Sequence, residues 1–270
     1  MNKIVKIYCE GKKGSHDFEI LSNFLPNEFI KIEPIGSKIG AKSIIQFLEQ
    51  NSVDKSNYYI FFRDRDFDKE IPENVCLESD HYVYFTYFNT IENYLLYDIH
   101  VFFDFICNKD LKLKYKIDKI EDVKKVYIDA ANKIKFFQAV RHTMGKLRTN
   151  KTNFGSNFME NSGELPKDLS SEFCLKAGFD KVNNSKTFTD SWNNNDFNTI
   201  YNEFLNKFDS NFIENLDFLI YFQGKDFASS LKLSLPEFPL NDFYKYAKKQ
   251  FDYTKFNDLV SLRELLSKQI

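Results

Sequence analysis

The chain has 270 residues, of which 43% are hydrophobic and 17% aromatic, with only 9 glycines and 6 prolines. This composition is typical of a globular protein with a large core, and it excludes disordered, collagen-like and low-complexity classes. Because 37 basic and 39 acidic residues give a net charge of −2, any nucleic-acid binding must depend on local patches of positive charge.

Membrane-spanning and disulfide-stabilised classes are also excluded. No stretch approaches the roughly 18 uncharged apolar residues that a membrane helix needs, and the first apolar run is too short for a secretory signal. Cys9, Cys76, Cys107 and Cys174 lie far apart without the C-x-x-C spacing of zinc or redox sites. The sequence therefore predicts a cytoplasmic protein with reduced thiols and no membrane partner.

The first hundred residues alternate between strand and helix patterns. β-Branched and aromatic runs predict strands, and apolar residues at intervals of three and four predict helices. This alternation predicts an α/β fold, in which a parallel sheet is connected by right-handed crossovers. The predicted strands are Lys3–Cys9, Phe29–Ile35, Tyr58–Phe62 and His81–Phe88, and the predicted helices are His16–Leu25 and Ala41–Glu49.

From about Ile91 onward the pattern is mostly helical. We therefore divide the chain into a catalytic α/β domain, residues 1–98, and a helical region, residues 99–270, that packs on the sheet and binds partner or substrate. The segment Phe212–Phe222 is ambiguous between strand and helix. Helices are predicted over Ile120–Leu147 and Leu259–Lys268, and loops over Asn150–Pro166 and Asn183–Asn198.

Acidic residues follow two of the predicted strands, where ligands collect in parallel α/β sheets. Glu10 ends the first strand, and Asp64 and Asp66 follow the third. In an extended segment Asp64 and Asp66 would share one face, and Asp68 would continue the row. Carboxylates that converge raise one another's pKa unless a cation lies between them, and Mg²⁺ or Mn²⁺ suits oxygen ligands. The alternative is that these acids only bond locally in turns and helix caps.

Three short motifs resemble those of a known domain family. They are IYCEG (Ile7–Gly11), FFRDRDFD (Phe61–Asp68) and TIENYLL (Thr90–Leu96), with a glycine loop after the second strand. Together they resemble the TOPRIM domain shared by topoisomerases, bacterial primases and OLD-type nucleases. The likeness is greatest to stand-alone TOPRIM nucleases with a helical C-terminal extension, the family that includes AriB, toxin subunit of the PARIS anti-phage system.

The resemblance implies a fold, an activity and partners. It implies a TOPRIM-type parallel sheet and an Mg²⁺- or Mn²⁺-dependent nuclease with tRNA as its target. It also implies an antiviral, abortive-infection effector that is held in check by an ABC-type ATPase partner; a homodimer is a further possibility. A covalent topoisomerase or a primase would need domains that this sequence does not show. An OLD-type DNA nuclease and a catalytically silent binding module stay open as rivals.

The resemblance also assigns roles to individual acids. Glu10 matches the TOPRIM glutamate, as a metal ligand or the general base, and Asp64 and Asp66 match the metal-binding pair. Glu92 matches the family's further acid, although a glutamate that only stabilises a helix start is an equal alternative. Asp68 is a further candidate ligand.

One departure from the family pattern lies just after Glu10. The turn is lengthened from Lys12 to His16, so that Asp17 takes the place of the family's next aspartate. This leaves Asp17 open as a site residue and does not affect Glu10.

Several basic residues are candidates for binding substrate phosphates. Lys12 and Lys13 follow Glu10, and Lys225 lies in a Gly-Lys turn. The loop from Gly36 to Ser43 has its glycines too close for a P-loop, but it carries Lys38 and Lys42 at a helix start. For each of these lysines, a solvated side chain in a turn is the alternative.

The densest basic stretch runs from Arg141 to Lys151 and contains no acid. We expect it to form the RNA-facing surface, with Arg141, Lys146 and Arg148 contacting phosphates. The alternative is that it forms an ordinary solvated face.

Overall fold

The computed structural model describes residues 4–25, 28–36, 40, 43–44, 46, 57–80, 82–148, 154–185 and 193–270. The chain forms two compact units, which do not follow the predicted boundary after residue 98. The first unit comprises Met1–Arg65, Ile71–Leu95 and Lys248–Ile270, and the second comprises Asp66–Glu70 and Leu96–Ala247.

A five-stranded, mostly parallel sheet forms the centre of the first unit. Its strands are β1 (Ile4–Cys9), β2 (Ile30–Pro34), β3 (Asn57–Arg63), β4 (Glu78–Asp80) and β5 (Val83–Phe85). They lie in the order β2-β1-β3-β5-β4, and only β4 pairs antiparallel. The α/β class and the parallel sheet are therefore confirmed.

Local sequence accounts for the central strands and less well for one edge. In β1, Val5, Ile7 and Cys9 share one face of the sheet and are fully buried, as expected for a strand that packs this face on the core. The predicted fourth strand is shorter than expected, since β5 covers only Val83–Phe85. β4 has no recognisable strand pattern, because Glu-Ser-Asp has poor β propensity.

The C-terminal segment of the chain belongs to the first unit. It contains a short 3₁₀ helix (Tyr253–Lys255) and a closing helix, Asn257–Ser267. Asp258 is buried in this helix, and its carboxylate accepts hydrogen bonds from the Tyr87 N–H (3.0 Å) and the Tyr94 hydroxyl. Burial raises the pKa of Asp258 above its usual range. These two bonds join the end of the chain to the segment that follows β5.

The second unit is helical and is built around one long helix. In chain order the described helices are α1 (His16–Phe24), α2 (Ile91–Tyr97), α3 (Ile99–Asn108), α4 (Lys112–Tyr115), α5 (Ile120–Leu147), α6 (Ser171–Asn184), α7 (Asn194–Lys207), α8 (Ser210–Glu214), α9 (Phe218–Tyr221), α10 (Gly224–Ser234), α11 (Leu240–Lys249) and α12 (Asn257–Ser267). The long helix is α5. It buries Val123, Ile134, Phe137 and Val140, and it packs against α3, α6, α7 and α10.

The loop predicted over Asn183–Asn198 is wrong at both ends. Helix α6 continues to Asn184, and α7 begins at Asn194. Asn193 caps α7, because its side-chain oxygen accepts the N–H groups of Asn195 (2.8 Å) and Asp196 (3.3 Å). Asparagine-rich sequence resembles a loop, but asparagine is also a preferred N-cap residue.

Two further features of the sequence can be placed. The ambiguous segment Phe212–Phe222 contains the end of α8 and the whole of α9. The four cysteines are free thiols. No described helix is long and apolar enough to cross a membrane.

Candidate functional site

Glu10 lies at the carboxyl edge of the sheet beside an arginine. β1 and β3 are parallel neighbours, and Cys9 pairs with Phe62, so the next residues along each strand, Glu10 and Arg63, come together. Arg63 Nε lies 3.0 Å from Glu10 Oε1, and both side chains are less than a quarter exposed. The Arg63 guanidinium also lies 5.4 Å from the centre of the Phe85 ring. The charge of Glu10 is therefore compensated by a cation that the sequence analysis did not single out.

The turn after Glu10 is held by Asp17. The Asp17 carboxylate accepts the Gly11 N–H (2.7 Å) and the Ser15 hydroxyl. A Cβ at Gly11 would lie 1.9 Å from Ser15 Oγ and 2.5 Å from Ser15 Cβ, so a larger residue here would displace the Ser15 side chain. Asp17, which the sequence left open as a site residue, therefore fixes the shape of the loop that carries Glu10.

Asp64 lies at the end of β3 and bonds the start of helix α2. Its Oδ1 accepts the Ile91 N–H at 2.8 Å, which satisfies one of the backbone donors that a helix start leaves open. Glu92, the next residue, is 6% exposed in the first turn of the same helix. The first unit thus carries Glu10, Asp64 and Glu92 after the consecutive sheet neighbours β1, β3 and β5.

Arg65, between the two predicted metal ligands, has a structural role. Its side chain is fully buried, with Nε donating to Thr86 O (2.9 Å) and Nη1 to Glu78 Oε2 (2.5 Å). Its backbone N–H donates to the Thr86 hydroxyl at 3.0 Å. Arg65 therefore ties the end of β3 to β4 and to the residue after β5. The repeated Arg-Asp pattern was the only sequence signal for it.

The predicted row of aspartates does not form. β3 ends at Arg63, and Asp66 lies in a turn with the left-handed φ of 48°. The extended backbone that would place Asp64, Asp66 and Asp68 on one face is therefore absent from this described segment. Asp66 and Asp68 belong to the second unit, where Asp68 forms an ion pair with Arg148.

Arg141 was predicted to face RNA, and this prediction is wrong. The residue is 3% exposed, and its guanidinium forms an ion pair with the fully buried Asp226. It also donates to Gln223 Oε1 (2.6 Å) and Ser156 O (2.9 Å). The Phe67 ring lies 4.4 Å from the guanidinium. Arg141 is part of the core of the second unit.

The rest of the basic stretch is neutralised by acids that are remote in sequence. Lys146 Nζ lies 3.1 Å from Glu203 and 3.7 Å from Glu70, and Arg148 pairs with Asp68. Lys151 lies outside the described residues. Lys146 and Arg148 are therefore each paired with an acid, and their contact with RNA stays a prediction.

Of the other lysines predicted to bind substrate phosphates, some lie at the surface and two lie outside the described residues. Lys12, Lys13 and Lys225 are exposed. Exposure is expected both for lysines that bind phosphates and for solvated lysines in turns, so their role stays a prediction. Lys38 and Lys42 lie outside the described residues.

The acidic side chains at the sheet edge of the first unit are of the chemical type that binds a hard divalent cation. Glu10, Asp64 and Glu92 supply carboxylate oxygens, which are the ligands that Mg²⁺ and Mn²⁺ prefer. However, Arg63 pairs with Glu10, and the Ile91 N–H occupies one oxygen of Asp64. Within the part of the chain that the structure describes, no three His, Cys, Asp or Glu side chains are grouped to hold a metal.

Comparison with known proteins does not identify a family. No protein-family model matches the chain, and no curated protein is significantly similar to it. The likeness to TOPRIM nucleases therefore depends on the three short motifs and on the parallel strands that they follow.

Proposed function

We propose that this chain is a metal-dependent endonuclease that hydrolyses phosphodiester bonds. The observation that supports the proposal is the position of Glu10, Asp64 and Glu92 after three neighbouring parallel strands of one unit. Ligands of parallel α/β sheets bind at this edge. The Asp17 bond to the Gly11 N–H holds the turn that carries Glu10, and the bond from the Ile91 N–H holds the Asp64 carboxylate.

Glu10, Asp64 and Glu92 are the side chains that would hold Mg²⁺ or Mn²⁺, and binding would require them to leave their present contacts and converge on the ion. When bound, such an ion polarises a phosphodiester and makes a bound water more acidic. Asp17 orients the Glu10 loop, and Arg63 holds the Glu10 carboxylate in one orientation. Asp66 and Asp68 remain candidate ligands on the resemblance alone.

The substrate and the biological role also rest on the resemblance. A carboxylate–metal site hydrolyses RNA and DNA alike, so the chemistry does not choose between them. The proposal takes tRNA as the target and an ABC-type ATPase as the partner that restrains the enzyme until phage infection. The proposal also includes that the α/β sheet of the first unit is of the TOPRIM type.

A nuclease assay with a matched pair of variants tests the proposal. Total tRNA and plasmid DNA are incubated with the parent chain, Glu10→Gln and Glu73→Gln, in Mg²⁺ or in EDTA. Glu73 is an exposed carboxylate of the same unit. We expect the parent and Glu73→Gln to cut tRNA in Mg²⁺, and Glu10→Gln or EDTA to abolish cleavage. Cleavage of plasmid DNA alone would identify an OLD-type activity instead.

A catalytically silent binding module is the second candidate function. It is favoured by the engagement of Glu10 with Arg63 and of Asp64 with α2, since a metal would have to compete with both contacts. If the chain cuts neither nucleic acid, and Glu10→Gln is as toxic in cells as the parent, this candidate replaces the nuclease.

A further inference from the structure

The described surface of the second unit contains a second lysine-rich stretch. Residues 109–125 include seven lysines and four acids, a net charge of +3 in a chain whose total is −2. The stretch begins just after α3, contains the short helix α4 and ends in the first turns of α5. Its charge is therefore opposite to that of the whole protein.

The backbone holds this stretch in one shape. The Leu111 N–H donates to Ile106 O (2.9 Å) and the Ile117 N–H to Lys112 O (3.1 Å), and the Ile117 side chain is fully buried. Asp110 and Lys116, on either side of α4, both adopt the left-handed φ of 54°. Non-glycine residues rarely adopt this conformation, and such residues concentrate at functional sites.

Three of the seven lysines of this stretch keep their charge available to solvent. Lys114 pairs with Glu237 (2.9 Å) and Lys125 with Asp122 (3.6 Å). Among the described residues, no carboxylate lies within ion-pair distance of Lys109, Lys116 or Lys124, and all three are exposed. In the Arg141–Lys151 stretch, by contrast, Arg141, Lys146 and Arg148 are each paired with an acid.

We infer that residues 109–125 form the surface by which this chain binds the phosphate backbone of a nucleic acid. The inference rests on the proposed function, because a nuclease of net negative charge needs a local positive surface to hold its substrate. Unpaired lysines bind phosphates by releasing condensed counterions, without reading base sequence. Leu113, at the centre of α4, is 87% exposed, but one apolar side chain is a small anchor for a membrane.

A binding measurement without catalysis tests the inference. Fluorescently labelled tRNA is titrated with the full chain in EDTA, and anisotropy is followed between 50 and 200 mM salt. The test variant is Lys109→Gln/Lys116→Gln/Lys124→Gln. The control variant changes three other exposed lysines of the second unit: Lys176→Gln/Lys181→Gln/Lys232→Gln. Far-UV circular dichroism checks that both variants are folded.

We expect the test variant to bind tRNA at least about tenfold more weakly at 150 mM salt, with a salt slope reduced by about 2. The control should bind within about twofold of the parent. Equal loss in both variants, or no binding by the parent, would overturn the inference. So would loss of binding to anionic phosphatidylserine vesicles with tRNA binding intact.

The same design separates this inference from the proposed function. Binding in EDTA does not require cleavage, so a chain that binds tRNA through these lysines but never cuts it refutes only the nuclease proposal. If the triple variant unfolds, Lys109→Gln/Lys124→Gln leaves the strained Lys116 unchanged and should still lose affinity. Unchanged affinity in that double variant would count against the inference.

Discussion

Replacing Arg141 with methionine should lower the stability of the second unit, because Arg141 is a buried part of its core and does not face solvent. The guanidinium is 3% exposed, and its partner Asp226 is fully buried and also accepts hydrogen bonds from Gln138 (2.7 Å) and the Gly163 N–H (3.1 Å). Removing the cation leaves a buried carboxylate without its counter-charge. Breaking a buried pair in this way costs about 3 to 5 kcal/mol of the free energy of unfolding.

Urea unfolding followed by far-UV circular dichroism measures this loss. Lys146→Met is the matched control, because Lys146 is an exposed cation of the same helix, and exposed ion pairs contribute about 1 kcal/mol or less. In Arg141→Met/Asp226→Asn both charges are removed while an acceptor remains, so the double variant should be less destabilised than the two single losses added together.

One result would refute the reasoning about Arg141. If Arg141→Met unfolds within about 1 kcal/mol of the parent, the ion pair is not a core element of the second unit. If that variant also loses tRNA affinity while remaining folded, the guanidinium faces the substrate after all.

Three further predictions concern stability. Burial lowers the pKa of His142 from 6.5 to about 3. Below pH 6.5 the unfolded chain therefore binds a proton that the folded chain excludes, and the free energy of unfolding should fall by about 1 to 2 kcal/mol between pH 7 and pH 5. His142→Gln should remove this pH dependence, as measured by thermal unfolding. Gly11→Ala should cost about 1 to 3 kcal/mol in urea unfolding because its Cβ meets Ser15, whereas Gly155→Ala, with open space around it, should be neutral. Asp258→Ala leaves two buried donors without their acceptor, and a loss of about 2 to 4 kcal/mol should appear as a lower urea midpoint.

The central strands and the long helix could be predicted from the sequence because their signals are local. Alternating or continuous apolar runs identified β1 and β3, and intervals of three and four residues identified α5 with the bounds that the structure has. The rule that parallel strands end at one edge then placed Glu10 and Asp64 after neighbouring strands. These conclusions need only nearest neighbours along the chain and a general rule of topology.

Local signals were weaker where one residue type serves two purposes. Asparagine is common both in loops and at helix caps, so the asparagine-rich pattern predicts a loop where α7 begins. An Asp-x-Asp pattern predicts that both side chains share a face only if the backbone stays extended. The backbone is not extended at Asp66, which has a left-handed φ, so the prediction does not apply.

By itself, the sequence determined the α/β class, the main strands and helices and the acids that follow neighbouring strands. Only the tertiary structure decided which charges are paired. Arg141 meets Asp226 across 85 positions of sequence, Lys146 meets Glu203 across 57, and Arg63 meets Glu10 between two strands. In the basic stretch that begins at Arg141, one residue is therefore buried in the core and two others are paired with acids at the surface. Charged groups interact according to their distance in space, and the sequence does not give that distance.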